Sequence, residues 1–399
     1  MTRKTIVALP GDGVGKIVLK EAIRVLEAAG FDAQYIYGDI GWEFWKKEGN
    51  PLPQRTIDLI EKHKIALFGS ITSKPKDEAA EELSPGLQGR GLVYSSPIVG
   101  LRQHFDMDIC MRPCKTYKGN PLNFIRRGAG GEIEEPVIDA VIFRQNTEGL
   151  YSGVEWSNPP ENVYTALQSH PKFMKKFGGV PKEELSISTR IFTRKATERI
   201  LRAAFDYARA YGYPDVTVCE KPNVIRETSG MMYKMALEMQ KKDYPDIKVR
   251  NTNIDAQMMW LTKNPENYGV LVSGNMFGDI VSDGFAGLIG GLGFACSAQY
   301  NPDTGIGVFE PTHGSAPKYA DYPVSIVNPI AMIISSCMML DFIGENDLAR
   351  KIRNAVAEVI AEGKVRTYDM MKLPGSPDVL DKGAASTGRM TDAIIEKLK

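Results

Sequence analysis

Cysteine and histidine are scarce in this chain. Five cysteines and four histidines are scattered over 399 residues, and no group of them has the spacing of a zinc-binding motif. An odd number of unclustered cysteines favours reduced thiols over a disulfide framework. Because the first residues also lack the apolar core of a secretion signal, we expect a cytoplasmic protein.

The chain also lacks a surplus of either charge and a long apolar run. Lys and Arg together number 49, as do Asp and Glu, so the formal net charge is zero. This balance argues against a general nucleic-acid binder and against a protein of anionic membrane surfaces. The most apolar stretch, residues 329–340, is too short to span a bilayer. At this length, with 43% hydrophobic residues, we expect two domains and a large core.

Strand-like and helix-like segments alternate along the chain. The strand-like segments are residues 5–9, 33–37, 65–68, 140–143, 186–192, 216–219 and 268–273. Several are separated by apolar residues at helical spacing, and this alternation predicts a parallel sheet with helices on its faces. Residues 157–182 are rich in Pro, Asn and Lys without a clear period, which predicts an inserted arm.

Two aspartates, Asp279 and Asp283, stand four residues apart, a spacing that places both on one face of a helix. A glycine-rich run that we predict to be helical, Phe285 to Phe294, follows them. Carboxylates held this close repel each other unless a cation lies between them, and hard oxygen ligands suit Mg²⁺ or Mn²⁺. A solvated pair on a helix surface is the alternative. Seven glycines between residues 274 and 293 favour the ligand site, because glycine permits close approach.

Three arginines stand at apparent ends of elements: Arg102, Arg112 and Arg144. A guanidinium group binds a carboxylate through two hydrogen bonds. An arginine considered alone is more often a surface residue than a binding residue. If the three converge, they would recognise a di- or tricarboxylic acid.

Tyr151 and Lys221 each follow a predicted strand and are candidates for proton transfer. The alternatives are a core tyrosine and a surface lysine. The segment Gly11–Gly15 also follows a strand, but Lys16 stands where the dinucleotide fingerprint requires glycine. We therefore interpret that segment as a strand–helix turn. A loop from Glu310 to Tyr319 combines small residues with a Lys-Tyr pair that could bind a phosphate.

Together these motifs resemble the β-decarboxylating dehydrogenases, the family of isocitrate, isopropylmalate and homoisocitrate dehydrogenases. Residues 275–291 are similar to the metal-site signature of that family, and His313–Pro317 follows in the right order. The resemblance implies an α/β fold of the isopropylmalate/isocitrate dehydrogenase type, which is not a standard Rossmann fold. It implies a large parallel-sheet domain of residues 1–107 and 292–399, and a small domain of residues 108–145 and 186–291. It also implies an arm of residues 146–185 and a homodimer with shared active sites.

The resemblance also implies a role for individual residues. Asp279 and Asp283 would bind Mg²⁺ or Mn²⁺ together with Asp255 of the partner subunit. Tyr151 would protonate the enol, and Lys221 of the partner subunit would assist proton removal from the hydroxyl. The implied substrate-binding residues are Ser96, Arg102, Arg112 and Arg144. The implied cofactor-binding residues are Thr72, Glu310, His313, Gly314, Ser315, Ala316, Lys318, Tyr319, Asn328, Tyr368 and Asp369.

Within the family the chain looks most like isocitrate dehydrogenase, which implies NADP-dependent oxidative decarboxylation of isocitrate in the tricarboxylic acid cycle. Lys318 and Tyr319 match the pair that contacts the 2′-phosphate of NADP, whereas NAD enzymes usually carry Asp-Ile there; Lys372 replaces an expected arginine. Ile98 stands where isocitrate dehydrogenases have asparagine, and some homoisocitrate dehydrogenases show a similar Ser-Ser-Pro-Ile-Val run. The alternatives are therefore an NAD-dependent homoisocitrate or isopropylmalate dehydrogenase. A non-catalytic regulatory subunit is the alternative from another class.

Overall fold

The computed structural model describes residues 3–399; residues 1 and 2, where the first predicted domain begins, lie outside the described part. The strands are β1 Lys4–Gly11, β2 Ala33–Tyr37, β3 Ile65–Ser70, β4 Ile109–Lys115, β5 Arg126–Arg127, β6 Ile133–Glu134, β7 Asp139–Gln145, β8 Glu155–Ser157, β9 Ser186–Ser188, β10 Asp215–Glu220, β11 Lys248–Asn253, β12 Val270–Ser273, β13 Cys296–Asn301 and β14 Ile306–Pro311.

The helices are α1 Gly15–Ala28, α2 Trp42–Glu48, α3 Gln54–His63, α4 Lys76–Glu81, α5 Pro97–His104, α6 Glu161–Gln168, α7 Pro171–Phe177, α8 Arg194–Tyr211, α9 Thr228–Asp243, α10 Ile254–Leu261, α11 Asn275–Leu288, α12 Pro317–Ala320, α13 Ile330–Phe342, α14 Asn346–Glu362 and α15 Thr387–Lys397. Short 3₁₀ turns add to these, among them Leu150–Ser152.

A ten-stranded sheet forms the centre of the molecule, in the order β11-β10-β12-β7-β4-β13-β14-β3-β1-β2. The α/β class predicted from the sequence is confirmed, but the sheet is mixed and not purely parallel. Strand β4 is antiparallel to β7 and to β13, and β13 is antiparallel to β14. The β13–β14 hairpin explains part of this difference, because residues 302–305 close it with a short turn in which Gly305 has a φ of +67°.

The sheet extends through both predicted domains. Strands β1, β2, β3, β13 and β14 come from residues assigned to the large domain, and β4, β7, β10, β11 and β12 from residues assigned to the small one. The division therefore falls between β4 and β13, at the middle of one continuous sheet. The domain boundaries themselves stay a prediction.

The predicted arm contains short elements that the sequence pattern did not indicate. Helices α6 and α7 form within residues 157–182, and β8 pairs with β9 in a separate two-stranded sheet. The strand predicted over residues 186–192 is wrong in two respects: regular pairing ends at Ser188, and β9 does not join the large sheet. The alternation there extends over too few residues to distinguish a local hairpin from a strand of the core.

Helix α13 explains the most apolar stretch of the sequence. Its residues 330–340 are all buried, packed between the sheet and helices α1 and α14. The helix begins at Ile330 with Pro329 at its N-cap position, and the side-chain oxygen of Asn328 accepts a hydrogen bond from the backbone N–H of Ile330 at 3.0 Å. Among residues 3–399, no helix has both the length and the apolar character needed to cross a membrane.

Arg199 of α8 connects the two halves of the sheet. Its guanidinium pairs with Asp106 at 3.1 Å and Asp108 at 2.8 Å, and also with Asp303 in the turn of the β13–β14 hairpin, at 2.5 Å. Asp108 is buried. Burial raises the pKa of Asp108 to about 6, although Arg199 opposes the shift. The charged form of Asp108 therefore costs free energy in the folded protein.

We expect Asp108 to give stability a specific pH dependence. Its pKa is higher in the folded chain than its ordinary value near 3.8, so the folded state binds the proton more tightly and stability falls as the pH rises from about 4 to about 6. Asp108→Asn removes this loss. The melting temperature of the unmodified protein minus that of the variant should fall across this window and stay constant above it.

The matched control is Asp106→Asn, which changes a second, exposed partner of Arg199. Asn tolerates the left-handed backbone at this position, where φ is +49°. Because the charge of Asp106 only adds to the larger effect of burial on the pKa of Asp108, the Asp106 variant should keep most of the pH dependence of the unmodified protein between pH 4 and pH 7. A melting-temperature difference for Asp108→Asn that is constant from pH 4 to pH 7 would contradict the argument.

Candidate active site

Helix α11 presents Asp279 and Asp283 on one face, as their spacing predicts. The Nη1 atom of Arg112 donates to Asp279 Oδ1 at 2.9 Å and to Asp283 Oδ1 at 3.2 Å. A single cationic group thus lies between the two carboxylates. The helix begins at Asn275 and ends at Leu288, so the helical run predicted from Phe285 to Phe294 is wrong over its second half, where Gly290 and Gly291 have positive φ.

Arg144, at the end of β7, contacts the same carboxylate from another side. Its Nη1 donates to Asp279 Oδ1, and its Nε donates to Asn275 Oδ1 at 2.9 Å. Burial lowers the pKa of Arg144 to about 10, and the positive charge of Arg112 acts in the same direction. Burial of the Arg144 guanidinium thus acts against its charge, and the carboxylate of Asp279 opposes this effect.

Arg102 completes the cluster from the last turn of α5. Its Nε donates to Gln299 on β13, and its Nη2 lies 3.4 Å from Glu310 Oε1 on β14. Burial raises the pKa of Glu310, whereas the charges of Arg102, Arg112 and Arg144 lower it. The three arginines are at most 9% exposed and converge on one place. The surface interpretation of these arginines is wrong.

Tyr151 lies beside the same cluster in the turn after β7. Its hydroxyl donates to Asp279 Oδ2 at 2.9 Å, and the guanidinium of Arg144 lies 5.2 Å from its ring centre. Burial raises the pKa of Tyr151, and the charge of Asp279 adds to this shift. Because the side chain is partly exposed and bound to a charged residue, the core interpretation of Tyr151 is wrong.

Lys221 and Asp255 form a separate ion pair. Lys221 Nζ lies 2.5 Å from Asp255 Oδ1, and this hydrogen bond lowers the pKa of Asp255. Within residues 3–399 of one chain, no group of three His, Cys, Asp or Glu side chains is placed to hold a metal ion. A single chain therefore offers Asp279 and Asp283 together and keeps Asp255 elsewhere.

The donor set suits a hard divalent cation. Asp279 and Asp283 supply carboxylate oxygens that converge on one cationic atom, Arg112 Nη1, which shows that this position is favourable for positive charge. Asp283 and Asp255 are 61% and 67% exposed, so both carboxylates are available to a second subunit. These residues fit Mg²⁺ or Mn²⁺ if one more carboxylate comes from outside the chain.

A cavity of about 530 Å³ collects most of the predicted cofactor-binding residues. The predicted residues that line it are His313, Gly314, Ala316, Tyr319, Asn328, Tyr368 and Asp369; Val14, Gly290, Leu292, Gly293 and Val327 line it as well. A Cβ atom added to Gly293 would lie 2.8 Å from Asp369 and 3.0 Å from Asn328, so these walls approach closely. The volume and the mixed lining suit the adenosine part of a dinucleotide.

The remaining predicted cofactor residues lie at three different places. Thr72 and Ser315 join through their hydroxyls at 2.7 Å. The ammonium of Lys318 is exposed and lies 4.9 Å from the ring centre of Tyr319. Glu310 lies at the third place, where it pairs with Arg102 of the arginine cluster.

The segment Gly11–Gly15 is a strand–helix turn, as predicted, and its residue Val14 also lines the 530 Å³ cavity. The carboxylate of Asp12 accepts hydrogen bonds from the backbone N–H groups of Trp42 and Thr72. The backbone N–H of Val14 donates to the carbonyl of Ser315 at 2.9 Å. This role is not apparent from the sequence, because the segment does not match the usual dinucleotide pattern.

Gln299 and Asn275 are further residues of the site that the sequence analysis missed. Gln299 Oε1 accepts from both Arg102 and Asn146, and Asn275 orients Arg144. For Gln299 a signal existed, because it is a polar residue between apolar ones on a strand. Ile98 is buried in an apolar cluster with Leu101, which shows that this side chain packs into the core.

Comparison with known proteins gives a consistent result. A family model described as isocitrate/isopropylmalate dehydrogenase matches residues 5–394. Protein DlpA of Legionella pneumophila is 39% identical over 98% of this chain, and the chain spans 58% of the length of DlpA. A homoisocitrate dehydrogenase of Methanocaldococcus jannaschii is 37% identical, with 90% of this chain and 91% of that protein covered. The crystal structure of isocitrate dehydrogenase from Methylococcus capsulatus has 34% identity, a TM-score of 0.80 and 99% coverage of each chain.

Gly278→Ala should displace Arg144. An added Cβ would lie 2.8 Å from Arg144 Cβ and 2.9 Å from its Cγ, and the buried arginine has little room to move. Because small displacements of a binding group reduce rates strongly, we expect kcat/KM to fall by about tenfold or more. Steady-state kinetics with the substrate that the protein turns over best will measure this.

Gly287→Ala on the same helix is the control. No atom lies within 4 Å of the added Cβ, so kcat/KM should not change. The free energy of unfolding should rise by about 1 kcal/mol, because alanine favours a helix over glycine. Equal kcat/KM values in both variants would show that Gly278 does not position Arg144.

Proposed function

The chain belongs to the isocitrate/isopropylmalate dehydrogenase family, and we propose that it oxidises and decarboxylates isocitrate to 2-oxoglutarate and CO₂ with NADP as oxidant. The observation that carries this proposal is the clustering of three buried arginines: Arg112 and Arg144 both pair with Asp279, and Arg102 pairs with Glu310 beside them. Three buried guanidinium groups in one place need anionic partners. A tricarboxylate supplies one carboxylate for each arginine, and Ser96 at the start of α5 offers a further hydroxyl.

The proposed proton transfers assign different tasks to Tyr151 and Lys221. A bound divalent cation would neutralise the alkoxide and the enolate, and bound NADP would accept the hydride from C2. Lys221 of the partner subunit would assist removal of the hydroxyl proton, and Tyr151 would give a proton to the enol carbon after CO₂ leaves. Tyr151 carries its proton at neutral pH, as a phenol does, and its hydroxyl contacts Asp279 in the site, which supports its role as an acid.

We further propose a homodimer in which each site takes Lys221 and Asp255 from the partner subunit. The proposal is supported by the pairing of Asp255 with Lys221 and by the finding that, within residues 3–399 of one chain, Asp255 does not join Asp279 and Asp283 in a group able to hold a metal ion. The exposure of Asp255 and Asp283 supports it, since a second subunit can cover both. In the same reading Mg²⁺ or Mn²⁺ binds between the subunits, and the protein works in the cytoplasm.

NADP is the proposed cofactor because Lys318 supplies positive charge beside the cavity. Tyr319 lies next to it, and its ring is 5.7 Å from that of Tyr368. Lys372 lies four residues beyond Tyr368 and adds a second positive charge to this segment. Charge-assisted hydrogen bonds from such groups would favour a 2′-phosphate over a ribose hydroxyl.

Homoisocitrate is the second candidate substrate, because a homoisocitrate dehydrogenase is among the relatives. Its extra methylene would extend toward residues 93–98, where Val93 is exposed and Ile98 is buried. The alternative of a non-catalytic subunit conflicts with the retention of Tyr151, Lys221 and the three aspartates.

The deciding experiment is a substrate and cofactor panel. Initial rates of nicotinamide reduction are measured with Mg²⁺ for isocitrate, homoisocitrate and isopropylmalate, each with NADP and with NAD. We expect isocitrate with NADP to give the highest kcat/KM. A higher value for homoisocitrate would replace the proposed substrate, and no turnover of any combination would favour the regulatory subunit.

Asp283→Asn tests the metal site. The change removes one negative charge and almost no volume, so we expect kcat/KM to fall by about a hundredfold or more while the dimer persists. Binding of Mn²⁺ to the protein without substrate should weaken in parallel. Asp347→Asn, at an exposed position of α14, is the control and should change neither quantity. Activity near that of the unmodified protein in Asp283→Asn would remove Asp283 from the metal site.

Lys318→Asp combined with Tyr319→Ile tests the cofactor assignment. Loss of two charge-assisted contacts should lower the NADP-to-NAD ratio of kcat/KM by about a hundredfold, since each contact is worth about 1.5 kcal/mol or more. Lys382→Asp, which also reverses an exposed lysine charge, is the control. An unchanged ratio in the double variant would refute the contact with the 2′-phosphate.

A further inference from the structure

A second cavity, of about 350 Å³, lies behind the arginine cluster on the opposite face of the sheet. Its walls come from both halves of the sheet: β4 and α8 on one side, β13, β14, α13 and α14 on the other. Most of the lining is aromatic or aliphatic. It includes Tyr117, Tyr207, Phe294, Tyr300, Phe309 and Phe342.

The pleat of three strands separates this cavity from the candidate active site. Arg112, Gln299 and Glu310 point to one face, where they form the arginine cluster. Their neighbours along the same strands point to the other face, because successive side chains of a strand alternate. The neighbours that line the cavity are Met111, Pro113, Ala298, Tyr300 and Phe309. The cavity and the candidate active site therefore share the backbone of these strands, but none of these side chains belongs to both.

Polar atoms in the cavity have unused hydrogen-bonding capacity. The hydroxyls of Tyr117, Tyr207 and Tyr300 make no hydrogen bond to any group within residues 3–399, although burial raises the pKa of each of these phenols. The three tyrosines are only partly buried, and all of them line the cavity. They are therefore available to a molecule that enters the cavity.

Arg353 of α14 supplies positive charge at the same cavity. Its Nη2 pairs with Asp341 Oδ2, and within the described chain its Nη1 and Nε atoms have no hydrogen-bond partner. The side chain is 35% exposed, so its other nitrogens remain accessible. A guanidinium with free donors beside an apolar chamber is complementary to a carboxylate on an apolar body.

We propose that this cavity is a binding site for a small hydrophobic carboxylic acid, about the size of a two-ring aromatic acid. The apolar body would lie among the aromatic rings, and the carboxylate would bind Arg353. Such a ligand touches α8 of one half and α13 of the other. It would therefore respond to any change in the distance between the two halves.

Titration calorimetry with 2-naphthoate and 2-naphthamide tests the proposal on the full chain. The two probes share a ring system and differ in charge. We expect 2-naphthoate to bind about tenfold more tightly than 2-naphthamide, since a charge-assisted hydrogen bond is worth about 1.5 kcal/mol or more. Arg353→Met should abolish that difference, whereas Arg350→Met, an exposed arginine of the same helix, should preserve it.

Two more variants keep the test decisive if Arg353→Met unfolds. Asp341→Asn frees Arg353 from its partner and should tighten 2-naphthoate binding severalfold. Met338→Trp fills the cavity and should remove binding of both probes. Arg102→Met should leave both affinities unchanged, because Arg102 points to the other face.

Three results would overturn the proposal: equal binding of the two probes by the unmodified protein, retained binding in Met338→Trp, or loss of binding in Arg102→Met. The last would place the probe at the arginine cluster. The binding measurement does not depend on which substrate the protein turns over.

Discussion

The position of Arg112 between Asp279 and Asp283 is the interaction on which the site depends. Two carboxylates one helical turn apart repel each other, and a buried guanidinium without partners is costly. The ion pairs of Arg112 relieve both the repulsion between the two carboxylates and the cost of burying the guanidinium. They also join α11 to the centre of the sheet. Arg144 and Tyr151 then attach to the same Asp279. The site is therefore a network of paired charges that joins β4, β7 and α11.

Much of the fold follows from local patterns, and the failures have a local cause. The buried strands and α1, α8, α13 and α14 are visible as apolar runs or helical periods. The antiparallel direction of β4 and β13 is not visible, because direction depends on partners far away in sequence. The arm strand was misjudged for a related reason: three alternating residues fit a core strand and a surface hairpin equally well.

Only the part of the site that follows from a regular residue spacing could be predicted from the sequence. Asp279 and Asp283 could be found from their interval alone, whereas the convergence of Arg102, Arg112 and Arg144 required three separate elements to be placed. The sequence did not reveal the roles of Asp12 and Gln299, because these roles consist of contacts to residues distant in the chain, Thr72 and Arg102. The sequence likewise offered nothing on the cavity at Arg353, whose walls come from many segments.

The interleaved order of the sheet has a consequence for how the protein is made. Strand β14 lies beside β3, and β13 lies beside β4. Strands β3 and β4, from the first third of the chain, therefore gain these partners only once residues of the last third have been synthesised. The cofactor cavity needs Val14 as well as Tyr368 and Asp369. A nascent chain therefore emerges from the ribosome with incomplete sheet edges until β13 and β14 have been synthesised, and the cavity lined by Val14 forms only after Asp369 has been translated.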